Sequence, residues 1–368
     1  MRSSGGKLTL RDKQPQGPPP KKFKLGVALF IPESRRGFNV EWMGILTVVM
    51  NAVWALELSW WACRRSALPP DSWEEVGVVS ELVVYPLKSG RPLYVQEAEA
   101  TEHGFSVGPH RDRSFIVILK EGSLVTGRQK PKLTFVTVKI DGETATFEAE
   151  GAEGHAKVNL QMVTQEGEAR DADIFGAPVK GVDCGDEVSR WLSEFLYQGR
   201  REVRVLYRHP ELDRRVARHE EREFPQILDT DKVVTESSVE ELNTRLEKPV
   251  KGNRFRGNIV VRGSKPYDED DWAYVKIGEV VFRMLRPCDR CSFPTVDPET
   301  GTKDPAKEPQ QTLKAYRILK SPEKLAKLWA TSPLFGTILG IDTCGTVSVG
   351  EKVLVKRISR NPKWRYWR

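Results

Sequence analysis

Alternation of apolar and polar positions recurs along most of the chain. Val79–Tyr85, Ser114–Leu119, Leu133–Ile140 and Thr144–Ala149 are rich in Val, Ile, Phe and Thr, with turn signals such as Asp141-Gly142 between them, and read as strands. Further strands are predicted at Val203–Tyr207, Ile259–Arg262, Val275–Ile277 and Glu279–Leu285, with a C-terminal hairpin over Thr346–Lys356. Helical spacing is confined to shorter segments. Glu187–Tyr197 puts Val188, Trp191, Leu192, Phe195 and Leu196 on one face, and a capping box from Ser237 to Glu240 opens a helix over Val239–Leu246. Gln311–Leu319 and Pro322–Trp329 are two more. Strands spaced by turns, without regular βα alternation or internal repeat, predict a mainly β (α+β) fold of barrel-like domains with helical decoration.

One apolar run breaks this rhythm. Met43–Cys63 (MGILTVVMNAVWALELSWWAC) carries a single charge, Glu57, and is followed by Arg64-Arg65. A helix rising 1.5 Å per residue needs about 20 residues to cross a ~30 Å hydrocarbon core, and Trp60-Trp61 with the two arginines suits an interface end. Segment 43–65 is therefore predicted to be a transmembrane signal-anchor, meeting membrane lipid through residues 43–63. A buried amphipathic helix is the competing reading, favoured by Asn51 and Glu57. Residues 1–42, basic and rich in Pro and Gly at their start, are expected to be a disordered tail.

Charge changes the picture by where it sits. The 368 residues carry a formal net charge of +7, but nine Lys/Arg against three acids lie in 1–42 and seven Lys/Arg with no acid in 352–368. The body between is acidic, whereas a nucleic-acid groove needs its positive charge on the folded surface, so no nucleic-acid partner is expected. Five cysteines, an odd number, are too few for a disulfide scaffold and fit a reducing compartment. Two of them stand as Cys288-Asp289-Arg290-Cys291. That spacing admits half of a zinc site, a redox pair, or one thiolate on a soft transition metal with Arg290 beside it to hold an anion. Spacing alone leaves the three open. No Ser-His-Asp order, P-loop or G-x-G-x-x-G fingerprint supports another cofactor enzyme.

The stretch CDRCSFPTVDPETG, residues 288–301, closely resembles the signature of the MOSC-domain proteins, specifically the mitochondrial amidoxime-reducing components. Tyr85-Pro86-Leu87-Lys88-Ser89-Gly90 looks like the family's Y-P-x-K-S element, and Arg111-Asp112-Arg113 with Thr126-Gly127-Arg128-Gln129 like its R-D-R and T-x-R-Q elements. Leu242-Asn243-Thr244-Arg245-Leu246, Asn253-Arg254-Phe255-Arg256-Gly257-Asn258 and Ser332-Pro333-Leu334-Phe335-Gly336 continue the order, from about Val76 to Val355. The resemblance implies an N-terminal β-barrel-like MOSC domain over 79–207 packed on a MOSC β-barrel domain over 208–357, with 358–368 a basic, aromatic tail.

It also implies Mo-molybdopterin, the molybdenum cofactor, with Cys291 as metal ligand and catalytic thiolate, and Cys288 as a non-ligand companion. Lys88, Ser89, Arg113, Thr230, Arg256, Asn258, Asp289 and Arg290 match the family's cofactor-binding positions, Thr230 in a turn whose spacing differs by about two residues. This chain departs from the family in several places. Gly90 stands where close relatives have Cys, and Pro294 and Ile338 where some have Thr and Tyr. Asp289 replaces a Ser and must point away from the cofactor or pair with Arg290. The implied activity is reduction of N-hydroxylated compounds such as amidoximes and hydroxylamines. Electrons would come from NADH through cytochrome b5 reductase and cytochrome b5, at the mitochondrial outer membrane with the catalytic part facing the cytosol, in a monomer. A local basic patch near the cofactor mouth is expected to receive that acidic donor. The rival reading is a non-catalytic carrier of molybdenum cofactor or a sulfur-transfer protein.

Overall fold

The computed structural model describes residues 72–174, 176–209, 231–320, 323–329 and 331–357. The anchor expected at 43–65, both tails and Thr230 lie outside these residues. Among the described residues no helix is long and apolar enough to cross a membrane.

The first strand, β1 (Glu74–Val84), begins five residues before its apolar core suggested, and β2 (Leu93–Val95) pairs with its C-terminal end. β3 (Glu97–Thr101), β4 (Gly104–Val107) and β5 (His110–Arg111) follow as an antiparallel ribbon. β6 (Phe115–Leu119), β7 (Leu124–Val125), β8 (Val136–Asp141), β9 (Thr144–Ala149) and β10 (Ala156–Asn159) come next, then helix α1 (Leu160–Glu166). β11 (Ala169–Ile174), β12 (Ala177–Asp183), helix α2 (Asp186–Tyr197) and β13 (Val203–Tyr207) complete this half. One sheet runs β11-β12-β13-β6-β7, and a bridge between Ser123 and Asp173 draws its two edges together, which gives the barrel-like curl. β10-β9-β8 is a separate three-stranded sheet. Helix α2 buries Val188, Leu192 and Leu196 against Phe115, Phe147, Val203 and Val205, the face its spacing predicted. The strand expected at Leu133–Ile140 starts only at Val136, because Pro131 opens a 3-10 turn over Pro131–Phe135.

The second half holds β14 (Asp231–Thr235), helix α3 (Glu236–Asn243), β15 (Ile259–Arg262), β16 (Trp272–Ile277), β17 (Val280–Asp289) and the short pair β18 (Val296–Asp297) and β19 (Thr302–Lys303). Helices α4 (Gln310–Tyr316) and α5 (Glu323–Trp329) precede β20 (Leu334–Thr343), β21 (Gly345–Ser348) and β22 (Lys352–Arg357). Seven strands close a barrel in the order β1-β15-β14-β20-β17-β16-β22, and β22 returns to β1. The barrel therefore takes a stave from the beginning of the described chain. At the bulge where β1 meets both neighbours, a Cβ on Gly77 would lie 2.1 Å from the Arg262 carbonyl oxygen, so only glycine fits. Val79, Val233, Ile259, Trp272, Phe282, Leu339 and Val355 fill the interior.

Three local expectations are corrected. The C-terminal hairpin does not form: β21 joins β3, while β22 joins β16 and β1, so the Ser348–Glu351 turn hands the chain from one sheet to another. The cap of α3 is Thr235, whose hydroxyl accepts the Ser238 N–H at 3.2 Å, because β14 ends in an extended Thr235 two residues ahead of Ser237. β20, broken in sequence by Gly336 and Gly340, was not visible as a strand, yet it pairs along its length with β17 and through its middle, Thr337–Leu339, with β14.

Candidate functional site

The site forms where the end of β1 turns away from the barrel. Tyr85, buried, donates its backbone N–H to Asp112 Oδ1 at 2.8 Å, and Arg113 N–H returns a bond to the Tyr85 carbonyl at 2.7 Å. These bonds lock the Y-P-x-K-S turn to the R-D-R element. Lys88 N–H then bonds the Phe115 carbonyl at 2.8 Å, which aims Lys88 and Ser89 back toward the barrel.

Asn258 joins the two halves. Its Nδ2 donates to the Val83 carbonyl at 3.1 Å and to Asp112 Oδ1 at 3.0 Å. Its Oδ1 accepts the Lys232 N–H at 3.2 Å and Arg113 Nη1 at 3.3 Å. All four hydrogen-bonding positions of the buried amide are used, so the group is fixed. Asp112 Oδ2 pairs with Arg113. Arg256 lies 3.8 Å over the Tyr85 ring and donates from Nη1 to the Gly90 carbonyl at 2.8 Å, while its buried Nη2 has no protein partner. Burial, then neighbouring Arg113, lowers its pKa to about 10, against the pull of Tyr85.

Ser89, Arg113 and Arg256 all have φ between 50° and 69°, a left-handed conformation costly for non-glycine residues. Three of the sequence-derived positions thus share a strained backbone within one site, a concentration typical of functional centres.

Arg290 is held differently. Its Nε and Nη1 donate to the Phe335 and Phe255 carbonyls at 2.7 and 2.5 Å, beside two stacked rings, and its buried Nη2 is unpartnered. Gly336, at φ +72°, permits this: a Cβ there would stand 3.0 Å from Arg290 Nη2 and 2.6 Å from the Val233 carbonyl. Asp289 therefore does not pair with Arg290. Register shifts in β17 swing it onto Arg286 Nη1 at 2.6 Å, a buried arginine that sequence reasoning passed over.

The two cysteines diverge. Cys288 is buried with Leu285 and Ile338, whereas Cys291 is exposed, and both are free thiols. Among the described residues no three His, Cys, Asp or Glu side chains gather as a metal site, so the C-x-x-C does not close as half a zinc centre. The 3-10 turn Phe293–Thr295 follows, not the helix a redox pair would open.

Lys88 and Lys232 complete the ring of charge. Burial, then Arg113 and Arg256, lowers Lys88 to about 8, opposed by Cys291 and Asp112. Burial, then Arg113, lowers Lys232 to about 7, opposed by Cys288 and Asp112. Four cationic side chains around Asp112 (Arg113, Arg256, Lys88 and Lys232), with Arg290 beside Phe255, fit a phosphorylated ligand, Arg256 and Arg290 each holding an orphaned guanidinium nitrogen; an exposed thiol fits a soft metal. The donor set therefore suits a molybdenum–pterin group, which Cys291, Lys88, Ser89, Arg113, Arg256, Asn258 and Arg290 would hold. Lys232, Asp112 and Arg286 were missed as site residues; only Asp112, inside the quoted R-D-R element, carried a sequence signal.

Residues 76–199 match the MOSC N-terminal beta barrel domain and residues 232–354 the MOSC domain. Mitochondrial amidoxime-reducing component 1 of Mus musculus is 35% identical over 324 residues, 85% of this chain and 91% of that protein. The Homo sapiens protein of the same name is 34% identical over 336 residues, 88% and 95% of the two chains. The chain belongs to the mitochondrial amidoxime-reducing component family. Component 2 of Bos taurus, 35% identical over 291 residues, covers 76% of this chain and 83% of its own. Membership supports a molybdenum-cofactor-related function and a reductase activity for a member of this family.

In this family member the remaining sequence elements act as supports. Gln129 Oε1 accepts from Thr126 N–H and hydroxyl at 2.9 and 2.8 Å, closing the T-x-R-Q turn, and Gly127 packs so tightly on Phe293 that a Cβ would lie 2.3 Å from the ring. Asn243 clamps Val250 through both its amide atoms, at 3.0 and 2.8 Å, and so sets the approach to Arg256.

Proposed function

We propose that this protein is a molybdenum-cofactor-dependent reductase of N-hydroxylated compounds, amidoximes and hydroxylamines among them. The observation that carries the reading is the convergence of an exposed Cys291 thiol with a cationic cradle, two of whose guanidinium nitrogens are buried and unpartnered. When bound, the molybdenum group supplies two-electron reduction of the N–O bond. The protein's part is to hold that group: Cys291 offers the soft ligand, while Arg256, Arg290, Arg113 and Lys88 neutralise its phosphate. Asn258 and Asp112 fix Arg113, and backbone carbonyls fix Arg256 and Arg290, so that little reorganisation accompanies reaction. Burial-depressed Lys88 stands in the electrostatic field of Cys291, which places a cation beside the ligand end of the site.

Electrons come from a cytochrome b5-type donor reduced by its NADH-dependent reductase, and residues 43–63 attach the protein to the mitochondrial outer membrane with the catalytic part toward the cytosol. A basic surface supports the donor assignment. Beyond Gly127 the chain reaches Lys130 and Lys132, whose ammonium groups lie over Tyr197 and Phe195 at 3.9 and 5.7 Å. Lys130, Arg200 and Arg201 line a cleft of about 540 Å³ beside them. An acidic donor would be steered there.

The test is molybdenum and pterin content of protein made in a cofactor-competent host, with Cys291→Ala beside it, followed by turnover of benzamidoxime with reduced cytochrome b5. The expected result is near-stoichiometric molybdenum in the parent, an altered metal spectrum in the variant, and at least a hundredfold loss of turnover. Folded parent protein holding neither molybdenum nor pterin would overturn the reading. Molybdenum and pterin without turnover would favour a cofactor carrier.

A further inference from the structure

We propose that Lys232 is an additional anion-holding residue of this site, placed to bind the phosphate end of the cofactor; this rests on the reading above. Lys232 falls in the middle of β14, whose neighbours Asp231 and Val233 are wholly buried, Val233 within the barrel core. Strand alternation turns Lys232 to the other face of the sheet, with Val234, which packs beside Phe255 and Phe335. The link from this strand to the cradle is Asn258, which bonds the Lys232 backbone and also reaches Val83, Asp112 and Arg113.

Its backbone is clamped from both sides by Asn258: Lys232 N–H donates to Asn258 Oδ1 at 3.2 Å, and the Lys232 carbonyl accepts Asn258 N–H at 2.7 Å. Its partner across the sheet is Ile338, which packs on Cys288 and Leu285. The position is therefore as rigid as that of any residue in the cradle.

The charges acting on the ammonium give its side of the site. Arg113 and Lys88 repel it, and Cys288 and Asp112 attract it. Lys88, in contrast, is held up by Cys291. The two lysines thus flank opposite ends of the C-x-x-C segment, Lys88 toward the exposed thiol and Lys232 toward the buried one. A phosphorylated pterin held by Cys291 through its metal would find in Lys232 a further fixed cation, and the phosphate is the group whose charge a cation there would suit. Among the described residues the Lys232 ammonium makes no hydrogen bond or ion pair. A half-buried cation held beside two others raises the free energy of the cofactor-free protein, and an arriving phosphate reverses that penalty.

This predicts effects of opposite sign, which a merely structural lysine would not produce. Lys232→Met keeps the apolar stem and removes the charge. Cofactor-free full-length Lys232→Met should melt at or above the temperature of the parent. In the same protein, the thermal protection given by inorganic pyrophosphate at matched ionic strength should weaken about tenfold in apparent affinity, and Lys232→Arg should retain it. Protein isolated with cofactor should lose pterin at least tenfold faster on dialysis when it carries Lys232→Met. Unchanged pyrophosphate protection and unchanged pterin loss would overturn the proposal while leaving the proposed function standing. So would unchanged pterin retention with a raised KM confined to anionic N-hydroxylated substrates, which would assign Lys232 to substrate. A parent that never acquires molybdenum or pterin would instead remove the reading on which the proposal rests.

Discussion

Asp112 is the residue on which the cradle's geometry turns. One carboxylate oxygen accepts from Tyr85 N–H and Asn258 Nδ2, the other pairs with Arg113, and the side chain is buried. Removing its charge leaves Arg113, Lys88, Arg256 and Lys232 with less to balance them, and breaking a buried pair from one side costs about 3 kcal/mol or more. Asp112→Asn should therefore lower the free energy of unfolding by about 2–3 kcal/mol in denaturant melts. An unchanged midpoint would show that the carboxylate is incidental. Arg113→Lys is a finer probe: Nη1 alone serves both Asp112 and Asn258, a role an ammonium can keep, whereas the planar fork that matches a phosphate is lost. Its expected signature is faster loss of pterin with little change in stability.

Among elements, β1 has the largest consequence. It closes the barrel between β15 and β22, and its far end delivers Tyr85 and the Lys88 turn, so barrel closure and site assembly are one event. Residues 231–357 made alone lack this stave and expose the edges of β15 and β22. They should give no cooperative melt, whereas residues 72–357 should; a cooperative melt of the shorter piece would show that the barrel tolerates the gap. The apolar text of β1 was legible in the sequence, but its partners were not. They lie about 180 and 275 residues away, and period-two alternation says which face is buried without saying against what. The same limit hid the separation of β21 from β22. Thr144–Ala149, Val203–Tyr207 and Ile259–Arg262 were read to the residue because each is bounded by turns and rich in β-branched side chains. At the site, Lys88, Ser89, Arg113, Arg256 and Asn258 were legible only as a joint pattern. Lys232 was not, because a lone lysine between Asp231 and Val233 looks like any solvated strand position until Asn258 is folded over it.

Taken whole, the molecule holds charges in its interior that work against it in two pH ranges. Asp270 is raised to about 7 by burial, against Arg317, and Glu269 is raised by burial too. Between about pH 4 and 7 the folded chain therefore binds more protons than the unfolded one, and stability falls as pH rises. Lys88 and Lys232 act in the opposite range, lowered to about 8 and about 7 from an ordinary 10.5. From about pH 7 upward the unfolded chain binds more protons, so stability rises with pH until tyrosine ionisation intervenes near pH 10. The cofactor-free protein should show a stability minimum near neutral pH, recovering by on the order of 2 kcal/mol at pH 9.5 in urea melts. Lys88→Met and Lys232→Met together should flatten the alkaline limb and leave the acidic limb intact, because Glu269 and Asp270 lie in the separate network of Ser238, Thr235 and Arg317. Pyrophosphate should flatten it as well, since an anion in the cradle keeps both lysines protonated. A limb that persists in the double variant would mean that other groups govern the neutral minimum, and that the cradle is less strained by its own charge than its geometry implies.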